Sequence, residues 1–291
     1  MHVPGPARPG VKVMKVKGIG TYYYPSKEEC KNSSSAIMWI HGGGRIMGSA
    51  SGHGPSDTCS RIVNLLGIPV FSPIYRFAPE FPFPAALDDI HAAYHWLAKD
   101  LEAKSADKKI MKVKIGVAGD SVGSGLAAEL SQRLLDKSQE QTESAPSKPG
   151  VPLPVCQLLI YPMLDDRTCL NDSLSKMPHL VWNNKSNKYA WSSYLGLGHE
   201  PGDEHLPKYS SAARRKDLSG LPPAWILVGN LDLFHTECIE YARRLKADGV
   251  ETELAEAKGS FHGFMTYGKE EQPIVKGWEK FRDFGKKFLV D

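Results

Sequence analysis

Short apolar runs alternate with longer stretches of helical periodicity along most of the chain, and this alternation limits the fold more than any other feature. The apolar runs are residues 36–40, 68–75, 113–118, 155–161 and 224–228. Between them lie candidate helices at 55–66, closed by Gly67, at 84–101, from 126 to about 135, at 236–247, capped by Asp248-Gly249, and at 272–289. In 84–101 the apolar positions Ala85, Ile90, Ala93, Tyr94 and Leu97 fall near helical spacing. Strands that alternate with helices build a mainly parallel sheet covered on both faces. Residues 11–24 read as one or two opening strands, with Val11, Val13 and Val16 set among lysines, and 250–257 as a strand with Val250, Thr252 and Leu254 inward. Residues 137–154 are polar and proline-rich, and are expected to form a surface loop or a locally disordered insertion.

One stretch breaks the pattern. Residues 165–221 are rich in asparagine, serine and proline yet hold Trp182, Tyr189, Trp191 and Tyr194. A segment this long is usually a lid or binding element, and it is expected to form a small helical cap over the site. A peripheral helix pair sealed to the core by those aromatics would carry the same residues.

Bulk properties exclude several classes. A net charge of +3 from dispersed basic residues offers no footprint for nucleic acid or an anionic membrane. No apolar run approaches the roughly 20 residues of a membrane span, and Met1-His2-Val3-Pro4-Gly5-Pro6 lacks the apolar core of a signal peptide. The five cysteines, Cys30, Cys59, Cys156, Cys169 and Cys238, are scattered without a Cys-x-x-Cys pair. Free thiols in a reducing compartment are expected, and hence a cytoplasmic protein.

The chemistry concentrates in four places. Gly119-Asp120-Ser121-Val122-Gly123 lies between an apolar run and a helical stretch, the context of a nucleophile elbow. A serine needs such a turn to expose it and a base to take its proton. Asp232 and His262 each fall just past a later strand, in the order serine, acid, histidine. Parallel strands would bring all three turns to one carboxyl edge. His41-Gly42-Gly43-Gly44 follows the first core strand, and its bare amides, with the Val122 N–H, are candidate donors to an oxyanion.

These residues resemble the hormone-sensitive-lipase-like branch of the α/β-hydrolase superfamily, the bacterial-type carboxylesterases. The likeness extends to Tyr75-Arg76-Phe77-Ala78-Pro79-Glu80, Phe81-Pro82-Phe83-Pro84-Ala85-Ala86, Asp88-Asp89, Tyr161-Pro162 and Leu218-Ser219-Gly220-Leu221-Pro222-Pro223. It also takes in Tyr241-Ala242 and Arg244-Leu245 before Gly249-Val250. The resemblance covers about 36–264 and implies an α/β-hydrolase fold in one domain over 1–291, with a cap insertion at about 165–221. It further implies Ser121 as nucleophile, Asp232 as acid, His262 as base, and Gly43, Gly44 and Val122 as oxyanion donors. Relatives pair through a carboxyl-terminal strand and helix, so a homodimer is an expectation too.

Three departures from the family pattern matter. Ser124-Gly125 replaces a Gly-Asn pair and is expected to loosen packing at that helix start. The acid lies in Asp232-Leu233-Phe234-His235-Thr236-Glu237 where the family has Asp-Pro-Leu-Arg-Asp-Glu, which makes Glu237 the fallback acid. About 35 residues precede the first core strand, and they read as strand where relatives carry cap helices, so a thinner cap and a more open mouth are expected.

Other candidates have plainer readings. His41 is expected to brace the glycine loop, Asp120 to make a structural hydrogen bond, His53 to sit in a turn, and His235 to cap or face solvent. Arg76 and Glu80 resemble a loop-locking ion pair. His91 and His95 have a metal-like i, i+4 spacing but lack an H-E-x-x-H pattern. The chain is therefore expected to be a cofactor-free, metal-independent serine hydrolase acting on a small-molecule carboxylic ester, short-chain or aryl. An amidase, formamidase or lactonase with the same triad, or a non-catalytic receptor resembling the plant gibberellin receptors, stays open.

Overall fold

A computed structural model of the chain describes residues 12–16, 19–25, 34–50, 53–106, 113–144, 150–176, 180–267 and 272–290. Among the described residues eight strands form one sheet: β1 (Lys12–Val16), β2 (Ile19–Tyr24), β3 (Ser35–Ile40), β4 (Val70–Pro73), β5 (Lys114–Asp120), β6 (Cys156–Ile160), β7 (Ala224–Gly229) and β8 (Thr252–Ala257). Their order is β1-β2-β4-β3-β5-β6-β7-β8. The antiparallel hairpin β1–β2 joins β4 antiparallel, and every pairing from β4 through β8 is parallel.

The helices are α1 (His53–Leu66), α2 (Ala85–Ala106), α3 (Val122–Ser144), α4 (Asp172–Ser175), α5 (Asn184–Leu195), α6 (His235–Ala247), α7 (Phe264–Tyr267) and α8 (Gln272–Leu289). Helix α1 packs with α8 and α2 with α3, and each pair lies on the sheet. Every residue of β3, β6 and β7 is buried, as central parallel strands between two helix layers require. Ile37, Val117, Leu158 and Ile226 are wholly shielded, each contributing about 1.5–3 kcal/mol of hydrophobic transfer.

Three expectations are corrected. The polar stretch after residue 137 is not a loop from its start: α3 continues to Ser144, because Lys, Gln and Glu favour helix even where no apolar face is needed. Val250 is buried as expected, but in β8 it is Ala255 and Ala257 that are buried, while Thr252 and Leu254 are only half-buried. A strand with a helix on either side does not keep a strict two-residue alternation. Ser124 does not loosen the start of α3; its Oγ donates to Gly119 O (2.6 Å) and accepts the Ile160 N–H (2.9 Å), locking the helix to β5 and β6. Among the described residues of 165–221 there is no strand, only a 3-10 turn at Asp166–Leu170, α4, α5 and a 3-10 turn at Ala212–Arg214.

Candidate active site

Four strand ends, all on the carboxyl edge of the parallel sheet, deliver the groups. β5 ends at Asp120, and Ser121 follows at φ 53 before α3 begins. A left-handed serine is strained, and glycines are what let the turn close. A Cβ on Gly119 would lie 2.6 Å from Ile40 O, and one on Gly123 would strike the Ile40 carbonyl. The Ser121 N–H donates to Ile160 O at 2.9 Å, and its carbonyl accepts from Met163 N at 3.1 Å.

β7 leads into the turn that holds Asp232, and β8 into the turn that holds His262. The two turns are tied together by Leu231 N donating to Ser260 O at 3.0 Å. Ser121 Oγ lies 2.9 Å from His262 Nε2, and His262 Nδ1 lies 2.9 Å from Asp232 Oδ2. Asp232 Oδ1 also accepts the Phe234 N–H at 2.9 Å, which fixes the carboxylate. All three residues are buried, with Ser121 the most accessible at 8%. Tyr161 and Phe234 meet the imidazole edge-on, with ring centroids 4.9 and 5.0 Å away. With Nδ1–H given to the carboxylate, the Nε2 lone pair faces the serine hydroxyl, the arrangement needed to remove its proton.

β3 ends in the glycine loop. Gly43 and Gly44 have φ of 124 and 63, a region L side chains avoid. A Cβ on Gly43 would run into the Met47 backbone, and one on Gly44 into the Trp182 ring. The amides of Gly43, Gly44 and Val122 have no acceptor among the described residues. Val122 adds the positive end of α3. Bare N–H groups beside a nucleophilic hydroxyl can hold a developing negative oxygen.

The loop is braced from below. Gly42 N donates to Asp120 Oδ1 at 2.9 Å, and burial pushes the Asp120 carboxyl up to about 6 against that hydrogen bond and the nearby His262. His41 donates from Nδ1 to Gly42 O (2.8 Å) and stacks on Tyr75, whose hydroxyl donates to His41 O (2.7 Å).

The remaining candidates fall elsewhere. Glu237, the fallback acid, accepts the Leu164 N–H (2.6 Å) and the Thr168 hydroxyl, while Asp232 is the carboxylate on His262. Burial raises the Glu237 carboxyl well above its usual range. His235 Nε2 lies 2.9 Å from Glu256 at the exposed rim. Arg76 does not pair with Glu80: its Nε and Nη2 both reach the Asp89 carboxylate at 2.8 Å, because the planar fork finds a two-oxygen partner in the first turns of α2. His91 and His95 contact each other through Nε2 at 3.2 Å, and the described residues hold no group of three His, Cys, Asp or Glu able to bind a metal. Cys59, Cys156, Cys169 and Cys238 are buried free thiols. His53 does not sit in a turn but is the first residue of α1; its side chain, like all of Cys30, lies outside the described residues. A cavity of about 670 Å³ near Arg214, Arg215 and Arg244 is lined by none of Ser121, Asp232, His262, Gly43, Gly44 and Val122.

Sequence reasoning missed two features of the site: the Trp182 ring over Gly44, and a buried Arg45–Glu129 ion pair directly behind the glycine loop. The signal for the second was an arginine abutting His41-Gly42-Gly43-Gly44, with a lone glutamate in the otherwise apolar start of α3.

No helix among the described residues is long and apolar enough to cross a membrane. An alpha/beta hydrolase fold family matches residues 37–266. The chain is 31% identical to the ethyl acetate hydrolase of Pseudomonas putida over 248 residues, covering 84% of this chain and 71% of that protein. It is 32% identical to the esterase LipI of Mycobacterium tuberculosis over 269 residues, covering 92% and 74%. Among solved structures it is similar to a bacterial heroin esterase, with a TM-score of 0.81, 27% identity, and 97% and 86% coverage. By these matches the chain belongs to the α/β-hydrolase family, in its hormone-sensitive-lipase-like branch.

Proposed function

We propose that the chain is a serine carboxylesterase that hydrolyses short-chain or aryl carboxylic esters through an acyl-enzyme. The observation that carries the reading is the continuous chain Ser121 Oγ–His262 Nε2–Asp232, with links of 2.9 Å each, beside three amides without acceptors. His262 takes the Ser121 proton as Oγ attacks the ester carbonyl. The resulting oxyanion is held by the N–H groups of Gly43, Gly44 and Val122, a contribution of about 2.7–4 kcal/mol per donor. The tetrahedral adduct collapses, and the alcohol leaves with the proton from His262 Nε2. Water then enters, gives its proton to His262, and releases the carboxylic acid by the same steps in reverse.

Trp182 against Gly44 narrows the space beside the hole, which favours a small acyl group. The names of the ethyl acetate hydrolase and heroin esterase relatives support ester substrates. Residues 165–221 serve as the cap of a single domain, a role supported by Trp182. Strand β8, at the edge of the sheet with a neighbour on one side only, is the natural seam for a homodimer, and the buried free thiols fit a cytoplasmic location. Ser121→Ala is expected to lower kcat on a p-nitrophenyl ester by about 10⁶-fold and to abolish labelling by a fluorophosphonate. Retention of more than about a few per cent of wild-type activity would refute the assignment. A series of acyl lengths, with matched amides, separates esterase from amidase.

A further inference from the structure

Arg45 follows the two bare glycines of the loop and is wholly buried, at φ 67. Its guanidinium makes two parallel bonds to Glu129 of α3, Nη2 to Oε1 at 2.7 Å and Nη1 to Oε2 at 3.1 Å. Both side chains have no solvent exposure. Two rings of α5 enclose the cation: Cζ lies 3.9 Å from the Tyr194 centroid and 4.6 Å from that of Trp191. The Tyr194 hydroxyl donates to the same carboxylate at 3.3 Å, and Ala78 N donates to Arg45 O at 2.9 Å. Thus three separate pieces of chain, the glycine loop, the helix that starts behind Ser121, and α5, meet on one guanidinium.

Stability alone does not account for this arrangement. A buried ion pair is often no better than apolar residues of the same volume, and a non-glycine residue in the left-handed region adds strain that only surrounding contacts can hold. What the planar fork supplies is geometry: two bonds and two ring faces leave the guanidinium one orientation. That orientation fixes the Cα of Arg45 and, through one peptide, the direction of the Gly44 N–H. At the other end of the loop Asp120 holds Gly42. The segment that carries the oxyanion donors is thereby pinned on both sides.

We propose that Arg45 is a positioning residue for the oxyanion donors, and that the docking of α5 on its guanidinium sets that position. The cap thus acts on the chemical step and not only on the shape of the pocket. This rests on the reading of Gly43, Gly44 and Val122 as the oxyanion donors.

The test replaces the pair by uncharged residues of like shape, Arg45→Met with Glu129→Gln, so that no lone charge is left buried. Wild-type protein is first labelled with a fluorophosphonate and assayed on p-nitrophenyl acetate; absence of both responses would remove the esterase reading and this inference with it. Given both responses, the double variant is expected to lose about 10²-fold in kcat, the size that follows a misplacement of about 1 Å. KM should stay within about threefold, since ground-state binding does not use the hole. The affinity of a trifluoromethyl ketone, whose adduct places an oxyanion there, should fall with kcat. Arg45→Lys, which keeps the charge but loses the fork, serves if the double variant does not fold, and should lose about tenfold in kcat with KM unchanged. A folded variant with wild-type kcat and ketone affinity, or one with raised KM alone, would overturn the proposal, even if its melting temperature had dropped.

Discussion

Asp120→Asn isolates what the buried carboxyl next to the nucleophile does to the fold. Its pKa stands at about 6 against a starting value of 3.8, with burial as the main cause. The folded protein therefore holds this proton more tightly than the unfolded chain. Proton binding favours the fold at low pH, and the contribution is lost as pH rises from about 4 through about 6. Between about pH 8 and pH 5 the raised pKa gives the wild type on the order of 1 kcal/mol of added stability from this group. The asparagine variant has no such proton, whereas every other titrating group is common to both proteins. Its stability relative to wild type should thus fall by on the order of 1 kcal/mol as pH drops over that interval, read as the difference between urea unfolding curves of the two proteins at each pH. The asparagine carbonyl can still accept the Gly42 N–H, so kcat should change by less than about tenfold. A stability difference independent of pH would refute the claim that burial dominates at Asp120. A change of the opposite sign would mean that neighbouring His262 controls the carboxyl instead.

Two further expectations separate the roles of neighbouring groups. Asp232→Asn should cost about 10⁴-fold in kcat, because the histidine tautomer is no longer held. Glu237→Gln should leave kcat within about threefold, since its carboxyl is already raised well above its usual range, and the amide oxygen can accept the Leu164 N–H while its NH2 donates to the Thr168 hydroxyl oxygen; equal losses in both variants would return Glu237 to contention as the acid. Trp182→Ala removes the ring that overlies Gly44 and should raise kcat/KM for an octanoyl over an acetyl ester by about tenfold, the scale of one or two methylenes in an apolar pocket. An unchanged ratio would place the acyl group elsewhere.

The parts of this site that were legible in the sequence are those whose chemistry is local. The elbow needs glycines at 119 and 123 because a Cβ at either position would collide with the Ile40 carbonyl at the end of β3, and the glycine loop needs bare amides within a few residues. Parallel strands bring the turns of Ser121, Asp232 and His262 to one edge, and their order along the chain is what the family resemblance implies. Long-range charge partners were not legible. Arg76 has an acid four residues away in sequence and takes Asp89 instead, and Arg45 takes Glu129 84 residues on. Nothing in either segment alone names its partner; the packing of α2 and α3 decides. The extension of α3 to Ser144 is hidden for another reason: the stretch has no apolar face to mark a helix, although glutamine, glutamate and lysine favour one without it.

Where the backbone is strained also bears on function. Five non-glycine residues with positive φ occur among the described residues: Arg45, Ser121, Tyr161, Val181 and Tyr209. Ser121 and Tyr161 bear on His262 directly, by hydrogen bond and ring contact. Arg45 adjoins Gly44, and Val181 precedes the tryptophan that covers it. A β-branched residue such as valine is the least tolerant of that region, so the 181–182 junction is held by its contacts and not by preference. Strain of this kind costs about 1–3 kcal/mol per residue and persists only where surrounding structure over-determines it. Four of the five positions converge on one hydroxyl, one imidazole and one glycine loop, and two carboxyls with raised pKa, Asp120 and Glu129, lie directly beneath. A chain under selection for stability alone would have relaxed each of these positions independently. Their concentration around Ser121 is what is expected when stability is given up to keep a reactive geometry fixed before substrate arrives.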